Sequence, residues 1–546
     1  MLFTNIVLFI SLFFGLISPD QPKEKQHFDW NNATVYFMLT DRFHNGDPSN
    51  DVNFGRSNTD TKQLRTFTGG DIKGITQKIE EGYFTDLGVD AIWFSPVNEQ
   101  IHGSVDEGQG KTYAFHGYWI RDWTAIEPNW GTAKDLKELM EVAHKNNIRV
   151  LMDVIINHTG PVTDKDPVWP SDWVRTEPQC TYQGYESTVF CTLVKNLPDI
   201  RTDQTEEVEL PKALMEKWEK EGRLQREMDE LDAFFARTGY PRTPRYYIIK
   251  WITDYIRKYG IDGFRVDTVK HTEASVWADL AKEAKIAFEE WKKNNQEAIQ
   301  EDQEFFMLAE TYNYNANNGL LFEFGDKKVD YFANGFDSQI NFGFKGDANK
   351  NYEELFSAYS NLLNGGVLSD VTFMNYVSSH DDSWPFDKER KRPFESATKL
   401  LLSPGQAQIY YGDEIARPLI IEGAQGDVNL RSIMDWENDS HKDLLLHWQK
   451  LGQFRKRHPS IGAGEHKMIS ESPYFFSRFY AKGNFKDQVL IGLDLPKNKF
   501  KLNVSEYFAD GTFIRDAYST SIYQVVDGYI EIKTENGIVL LDQFNN

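Results

Sequence analysis

Residues 263–271 read GFRVDTVKH and place Arg265 and Asp267 two positions apart in what otherwise looks like a buried strand. Side chains alternate faces along a strand, so Arg265 and Asp267 share one face while Phe264 and Val266 turn toward the other. Immediately upstream, Pro244 opens a helix with Ile248, Ile252, Tyr255, Ile256 and Tyr259 on one face, and Gly260 ends it. The same helix-then-strand unit occurs earlier. Thr132 and Asp135 form a capping-box pattern, Leu136, Leu139, Met140 and Ala143 follow at helical spacing, and an apolar β run covers 148–156.

Working outward, eight apolar runs have strand character: 34–39, 91–96, 149–156, 263–267, 305–310, 336–342, 372–377 and 408–413. Alternation with helical patterns predicts parallel strands wrapped by helices, and eight of them predict a (β/α)8 barrel, built from 30–157 and 244–462. The third and fourth runs are about a hundred residues apart, far beyond an ordinary connection, which predicts an inserted subdomain over 158–243. Its stretch KALMEKWEKEGRLQREMDEL, residues 212–231, reads as a solvated helical face. From 463 to 546 short alternating runs with Gly and Asn turns predict a C-terminal antiparallel β-domain.

The 60 basic and 83 acidic residues give a formal charge of −23, which argues against a nucleic-acid partner and suits a protein that holds cations. An apolar run within residues 1–19 is too short to span a bilayer by itself and precedes the polar PDQPKEKQ. That pattern predicts export to the periplasm or beyond, with an uncleaved N-terminal anchor as the alternative and no other membrane partner. Cys180 and Cys191, the only cysteines, lie in a polar, turn-rich stretch and read either as a local disulfide of an oxidising compartment or as two thiols.

The charged residues at strand ends carry the chemistry. Arg265 favours a negative charge on its neighbour Asp267, as a nucleophilic carboxylate requires. The run FFMLAE is apolar until Glu310, and an acid beside an ionised aspartate is expected to hold its proton, as a general acid must. The run at 372–377 leads into Ser378-Ser379-His380-Asp381, which brings a third carboxylate to the same rim. Singly, each is equally an ion pair or a cap; three at strand C-termini fit the active face of a barrel enzyme.

In order along the chain, DVIINH at 153–158, LPDI at 197–200, GFRVDTVKH at 263–271, Glu310 and SSHD at 378–381 resemble the signature regions of the α-amylase family, glycoside hydrolase family 13. The resemblance covers about 30–460, and INHTG, WIRDW, YGIDGFRVDTVKH and FRKRHPSIGAG are most similar to bacterial periplasmic α-amylases. It implies Asp267 as nucleophile, Glu310 as acid/base and Asp381 as the carboxylate that distorts and stabilises the sugar. It further implies Tyr118 as a stacking aromatic and His116, His158 and His380 as hydroxyl partners. Arg265 is the nucleophile's neighbour, Lys270 and His271 are reducing-side contacts, and Asp427 with Arg431 resembles a more distant sugar clamp. Ser379 departs from the Asn that many members carry there.

The resemblance also implies calcium. One site would use Asn157, Asp199 and the His271 carbonyl; a second would use Asn45, Asp47, Asn50 and Asp51 with the Gly69 carbonyl and Asp71. These are oxygen ligands, which suit a hard cation. The implied activity is retaining hydrolysis of internal α-1,4 bonds in starch-derived oligosaccharides. The alternatives are a glucanotransferase on the same fold, or a noncatalytic carbohydrate-binding or transporter-associated protein, which would lack part of the carboxylate set.

Overall fold

The computed structural model describes residues 28–56, 64–108, 110–296, 303–534 and 536–544. The N-terminal apolar run lies outside the described residues, and among these no helix is long and apolar enough to cross a membrane. Eight strands close into a parallel barrel: β1 (Thr34–Met38), β2 (Ala91–Phe94), β3 (Arg149–Val154), β4 (Gly263–Val266), β5 (Phe306–Ala309), β6 (Ser338–Asn341), β7 (Thr372–Tyr376) and β8 (Gln406–Tyr410). Each of the eight expected runs supplies one strand, in chain order around the barrel. The last is offset to 406–410 and stops short of the expected 413, because Gly412 (φ 85°) turns the chain into a short 3-10 helix.

The helical layer follows from local signals. Thr132 and Asp135 cap each other at the start of Ala133–Lys145, whose buried residues are Leu136, Leu139, Met140 and Ala143. Pro244 begins Pro244–Tyr259, and Gly260 (φ 77°) supplies the left-handed residue that ends it. The lower end of the barrel is closed by Trp30, stacked on Phe306 at 3.8 Å, and by the buried Arg455, which donates to the carbonyls of Asn32, Leu401, Ser403 and Gly405. One guanidinium thereby satisfies four backbone acceptors that water does not reach.

Between β3 and β4 the chain forms an excursion with a two-stranded pairing of Val174–Arg175 on Asp199–Ile200, the Cys180–Cys191 disulfide, and helices Lys212–Lys220 and Leu224–Thr238. Here a solvated charged face is present, with Lys212, Glu216, Glu219, Lys220, Arg226 and Asp229 exposed, but it is not the whole of the run. Trp218 and Leu231 are fully buried, and Lys217 and Arg223 converge on the buried Asp122 at 2.8 and 2.6 Å. Asp122 belongs to the strand Ile120–Ile126, remote in sequence, so a run that looks free by itself is committed to an ion-pair network.

A six-stranded antiparallel sheet follows the barrel, in the spatial order 465–471, 474–482, 485–493, 539–543, 513–516, 522–524. His458, just after the last long barrel helix, joins the two: its Nδ1 is 2.8 Å from Asp487 and its Nε2 3.0 Å from Asp542. Burial opposes its positive charge, but hydrogen bonds and attraction from the two aspartates outweigh this and raise its pKa above the usual histidine value. A raised pKa stabilises the fold fully below the unfolded value of about 6.5, and that contribution is lost as pH climbs through the folded value. His458→Gln is therefore expected to be about 1.5–3 kcal/mol less stable than wild type at about pH 6, with the gap narrowing on the alkaline side. Denaturant melts across pH check this; a gap independent of pH counts against it.

Candidate active site

Register builds the centre of the site. Arg265 on β4 lies directly opposite Asp153 on β3, so both side chains point into the barrel. Arg265, 1% exposed, donates from Nη1 to Asp153 at 3.0 Å and to Asp267 Oδ1 at 2.6 Å, and its Nη2 stands 3.9 Å from Glu310 Oε2. One guanidinium thus holds carboxylates from the ends of β3, β4 and β5. Burial opposes its charge, but the three acids and Tyr118 hold its pKa well above the ordinary arginine value.

Thr268, directly after Asp267, adopts the left-handed conformation (φ 50°, ψ 38°), which a β-branched residue rarely accepts. The turn aims its backbone N–H at Glu310 Oε2, 2.8 Å away. Glu310 is pushed up to about 8, chiefly by burial; Arg265 opposes this, and Asp267 and Asp381 add to it. The expected raised pKa is present, but desolvation contributes more than the neighbouring aspartate. Asp381 is also raised, again by burial first, with Arg265 and Arg431 opposing. Its side chain is 34% exposed against 10% for Asp267 and 7% for Glu310, so it sits furthest toward the mouth.

The aromatic and imidazole groups surround this cluster. Tyr118 donates its OH to Asp153 at 2.9 Å, and its ring stacks on His380 at 5.1 Å and 14°. Its N–H donates to His116 Nδ1 at 3.0 Å, and His158 Nε2 lies 3.2 Å from its carbonyl. Burial lowers the pKa of all three histidines, so they serve as neutral hydrogen-bonding groups. Arg431 donates to the His380 carbonyl at 2.9 Å and pairs with Asp427 at 3.4 Å. Ser379 places its Oγ 3.3 Å from His380 Nδ1. Lys270 Nζ donates to the Tyr312 carbonyl at 3.3 Å and lies 5.1 Å above the Tyr312 ring. His271 Nδ1 reaches Thr188 O, inside the disulfide loop, at 3.0 Å.

One participant was not singled out from the sequence. Asp153 collects Arg265, Tyr118 OH and Trp93 Nε1, the last at 3.0 Å, and burial raises its pKa to about 7. The signal lay in RVLMDVII, where an acid interrupts an apolar run, but only the β3–β4 register makes it Arg265's partner.

The implied calcium ligands gather unequally. The Asn157 side-chain oxygen faces the His271 carbonyl at 2.9 Å and Asp199 Oδ1 at 3.3 Å, three oxygens without a donor among them. A cation between them would resolve the conflict, as would rotating the amide. At the second set, a Cβ on Gly69 (φ +99°) would lie 2.5 Å from Asn45 Nδ2 and 2.9 Å from Asp51 Oδ1, and buried Asn50 Oδ1 has no protein hydrogen-bond partner. Asp71 joins them but caps the helix Ile72–Glu80 and accepts from Gly46, Asp47, Asn50 and Gly74. Asp47 turns its carboxylate to Ser49 and Lys73 instead of into the cluster. Among the described residues no group of three His, Cys, Asp or Glu side chains forms a metal cluster. Asn45 turns its amide nitrogen to Asp51 at 3.0 Å, so its amide would have to rotate to offer an oxygen; the other groups are carboxylate, amide and carbonyl oxygens, which calcium accepts.

Residues 37–418 match the family profile described as alpha amylase, catalytic domain. The chain belongs to the α-amylase family. This α-amylase-family chain is 35% identical over 527 residues to the periplasmic alpha-amylase of Escherichia coli (strain K12), covering 85% of itself and 72% of that protein. It is 27% identical over 523 residues to the cyclomaltodextrin glucanotransferase of Geobacillus stearothermophilus, covering 94% of itself and 66% of that protein. An Anoxybacillus α-amylase structure superposes with a TM-score of 0.67 at 22% identity over 95% of this chain and all of that one, a likeness of fold. Family membership makes the protein an enzyme of glycoside-hydrolase type.

The electrostatics predict a signed effect. The Glu310 pKa rises from 4.5 to about 8 on folding, so stability is lost as pH rises between those values. Glu310→Gln should therefore gain in melting temperature relative to wild type on going from about pH 5 to about pH 9. Calorimetric scans check this, and a difference that stays level or falls would show that Glu310 is not buried as a neutral acid.

Proposed function

We propose that this chain is an exported, retaining α-amylase that hydrolyses internal α-1,4-glucosidic bonds of starch-derived maltodextrins. The observation that carries the reading is the Arg265 bridge, with Asp267 at 2.6 Å on one side and the protonated Glu310 at 3.9 Å on the other. A retaining glycosidase needs one carboxylate as nucleophile and one carboxylic acid as proton donor, flanking the same bond. Arg265 supports negative charge on Asp267, and burial keeps the proton on Glu310.

In the first step Asp267 attacks the anomeric carbon while Glu310 gives its proton to the leaving oxygen, forming a covalent glycosyl-enzyme. Glu310, now ionised, takes a proton from water as it attacks the same carbon, which returns Asp267 and retains the α configuration. Asp381 and the neutral His380 and His116 accept and donate hydrogen bonds to sugar hydroxyls, Tyr118 stacks on the sugar at the cleaved bond, and Lys270 and His271 line the leaving side. The division of labour follows the chain: 30–157 and 244–462 as catalytic barrel, 158–243 as insert, 463–546 as C-terminal domain. The periplasmic relative supports export. The glucanotransferase relative favours a second reading, in which a sugar hydroxyl replaces water at the second step.

Asp267→Asn and Glu310→Gln are each expected to lower maltoheptaose turnover by on the order of 10³-fold or more in folded, soluble protein. Proton NMR should show the α-anomer first. A tenth of normal activity in either variant, or an initial β-anomer, would refute these roles. Chromatography of the same reaction separates the two readings, since products all shorter than maltoheptaose support hydrolysis, and cyclic products or linear ones longer than the substrate support transfer.

Calcium belongs to the reading as a structural ion. Asn157, Asp199 and the His271 carbonyl would hold it between insert and barrel, and Asn45, Asn50, Asp51, Asp71 and the Gly69 carbonyl would hold a second. Its charge would neutralise the facing oxygens and fix the turn that carries Lys270 and His271. At about a hundredfold excess over its dissociation constant, one such site contributes about 2.7 kcal/mol. Chelation should lower the melting temperature and calcium should restore it, with two equivalents by elemental analysis; full thermal stability in metal-free protein would falsify the assignment.

A further inference from the structure

Among the described residues Trp384 is the most exposed of the large apolar side chains, at 80%, and its indole stacks on none of them. A single exposed tryptophan needs no explanation on an ordinary surface. This one lies three residues after Asp381, on a loop that is closed and braced. Phe386 N–H donates to the Val377 carbonyl at 2.8 Å across the base of the loop, and Lys388 Nζ donates to the Ser383 carbonyl at 3.2 Å. Between Asp381 and Trp384, the Asp382 carboxylate is 3% exposed and acts as a strut. It accepts from Tyr376 OH at 2.5 Å, pairs with Lys345, and takes the Trp384 backbone N–H at 3.0 Å.

The same buried acid therefore holds both the candidate active-site carboxylate next to it and the tryptophan two residues on. A loop ordered this firmly holds the exposed ring in a fixed place, so little ordering remains to be done when a ligand covers it. On the same rim Tyr312, 42% exposed, lies within the electrostatic influence of Asp382, Asp381 and Glu310. Two exposed aromatic residues thus follow closely in sequence on two of the carboxylates, Tyr312 on Glu310 and Trp384 on Asp381. A pyranose ring has an apolar C–H face and a polar rim of hydroxyls, which suits an indole that stays wet at its edge.

We propose that Trp384 is a substrate-binding residue, stacking on a glucosyl unit of an α-glucan chain several units from the cleaved bond, with Asp382 as its positioning residue. The inference rests on the α-glucan reading above and adds chain-length preference to it. A ring remote from the reacting atoms acts only on substrates long enough to reach it.

The test compares wild type, Trp384→Ala and Trp384→Tyr on maltoheptaose and maltotriose, with melting temperature and light-scattering mass recorded for each. In Trp384→Ala the ratio of kcat/KM for the long substrate to that for the short one is expected to fall about tenfold, equivalent to about 1.4 kcal/mol. Trp384→Tyr should keep most of the ratio. A ratio unchanged in an active enzyme overturns this inference alone. Wild type inert on both substrates overturns it together with the α-glucan reading. A lower mass in Trp384→Ala with an unchanged ratio assigns the ring to contact between copies of the chain, and also overturns it.

Discussion

A single buried guanidinium sets the terms for the rest of the molecule. Arg265 has almost no contact with water, so its charge must be met by partners of the protein's own making. Asp153 meets it across the β3–β4 ladder and Asp267 meets it from its own strand. A register slip of one residue between β3 and β4 would turn Asp153 to the outer face and cost Arg265 its cross-strand partner, so that pair ties barrel register to site geometry. The polar groups are then positioned in turn: Tyr118 hangs on Asp153, His380 stacks on Tyr118, and Arg431 holds the His380 carbonyl.

The segments outside the barrel serve the same centre. The turn after β4 runs through left-handed Thr268, which turns its N–H to Glu310, and then to His271, whose ring is fastened to Thr188 within the disulfide loop. The wall of the cleft on the Lys270 side is thereby attached to the excursion between β3 and β4. That excursion is itself held to the barrel side by Lys217 and Arg223 on Asp122. The loop at 180–191 thus touches the site through His271.

The three strand-end carboxylates differ because their surroundings differ. Asp267 has a direct arginine partner, Glu310 has burial and a backbone N–H with the arginine further off, and Asp381 stands nearest the mouth. Of these, Glu310 carries the raised pKa of a buried acid, about 8, which is what a proton donor at such a site requires.

The sequence by itself determined the repeat of helix and strand, the eight barrel runs, and the three carboxylates at their ends, because these are local patterns of period 3.6 and 2 or short motifs. The Thr132 box and the Pro244 and Gly260 boundaries were legible for the same reason, since capping is decided within one turn. Tertiary structure alone decided that Asp153 belongs beside Arg265, that Lys217 and Arg223 serve Asp122, and that Asp47 faces Lys73 while Asn45, Asp51 and Gly69 crowd together. It also decided that burial, more than a neighbouring charge, keeps the proton on Glu310. Each of these is a relation between groups distant along the chain, set by strand register and by exclusion of water, and neither quantity is written in any local stretch of residues.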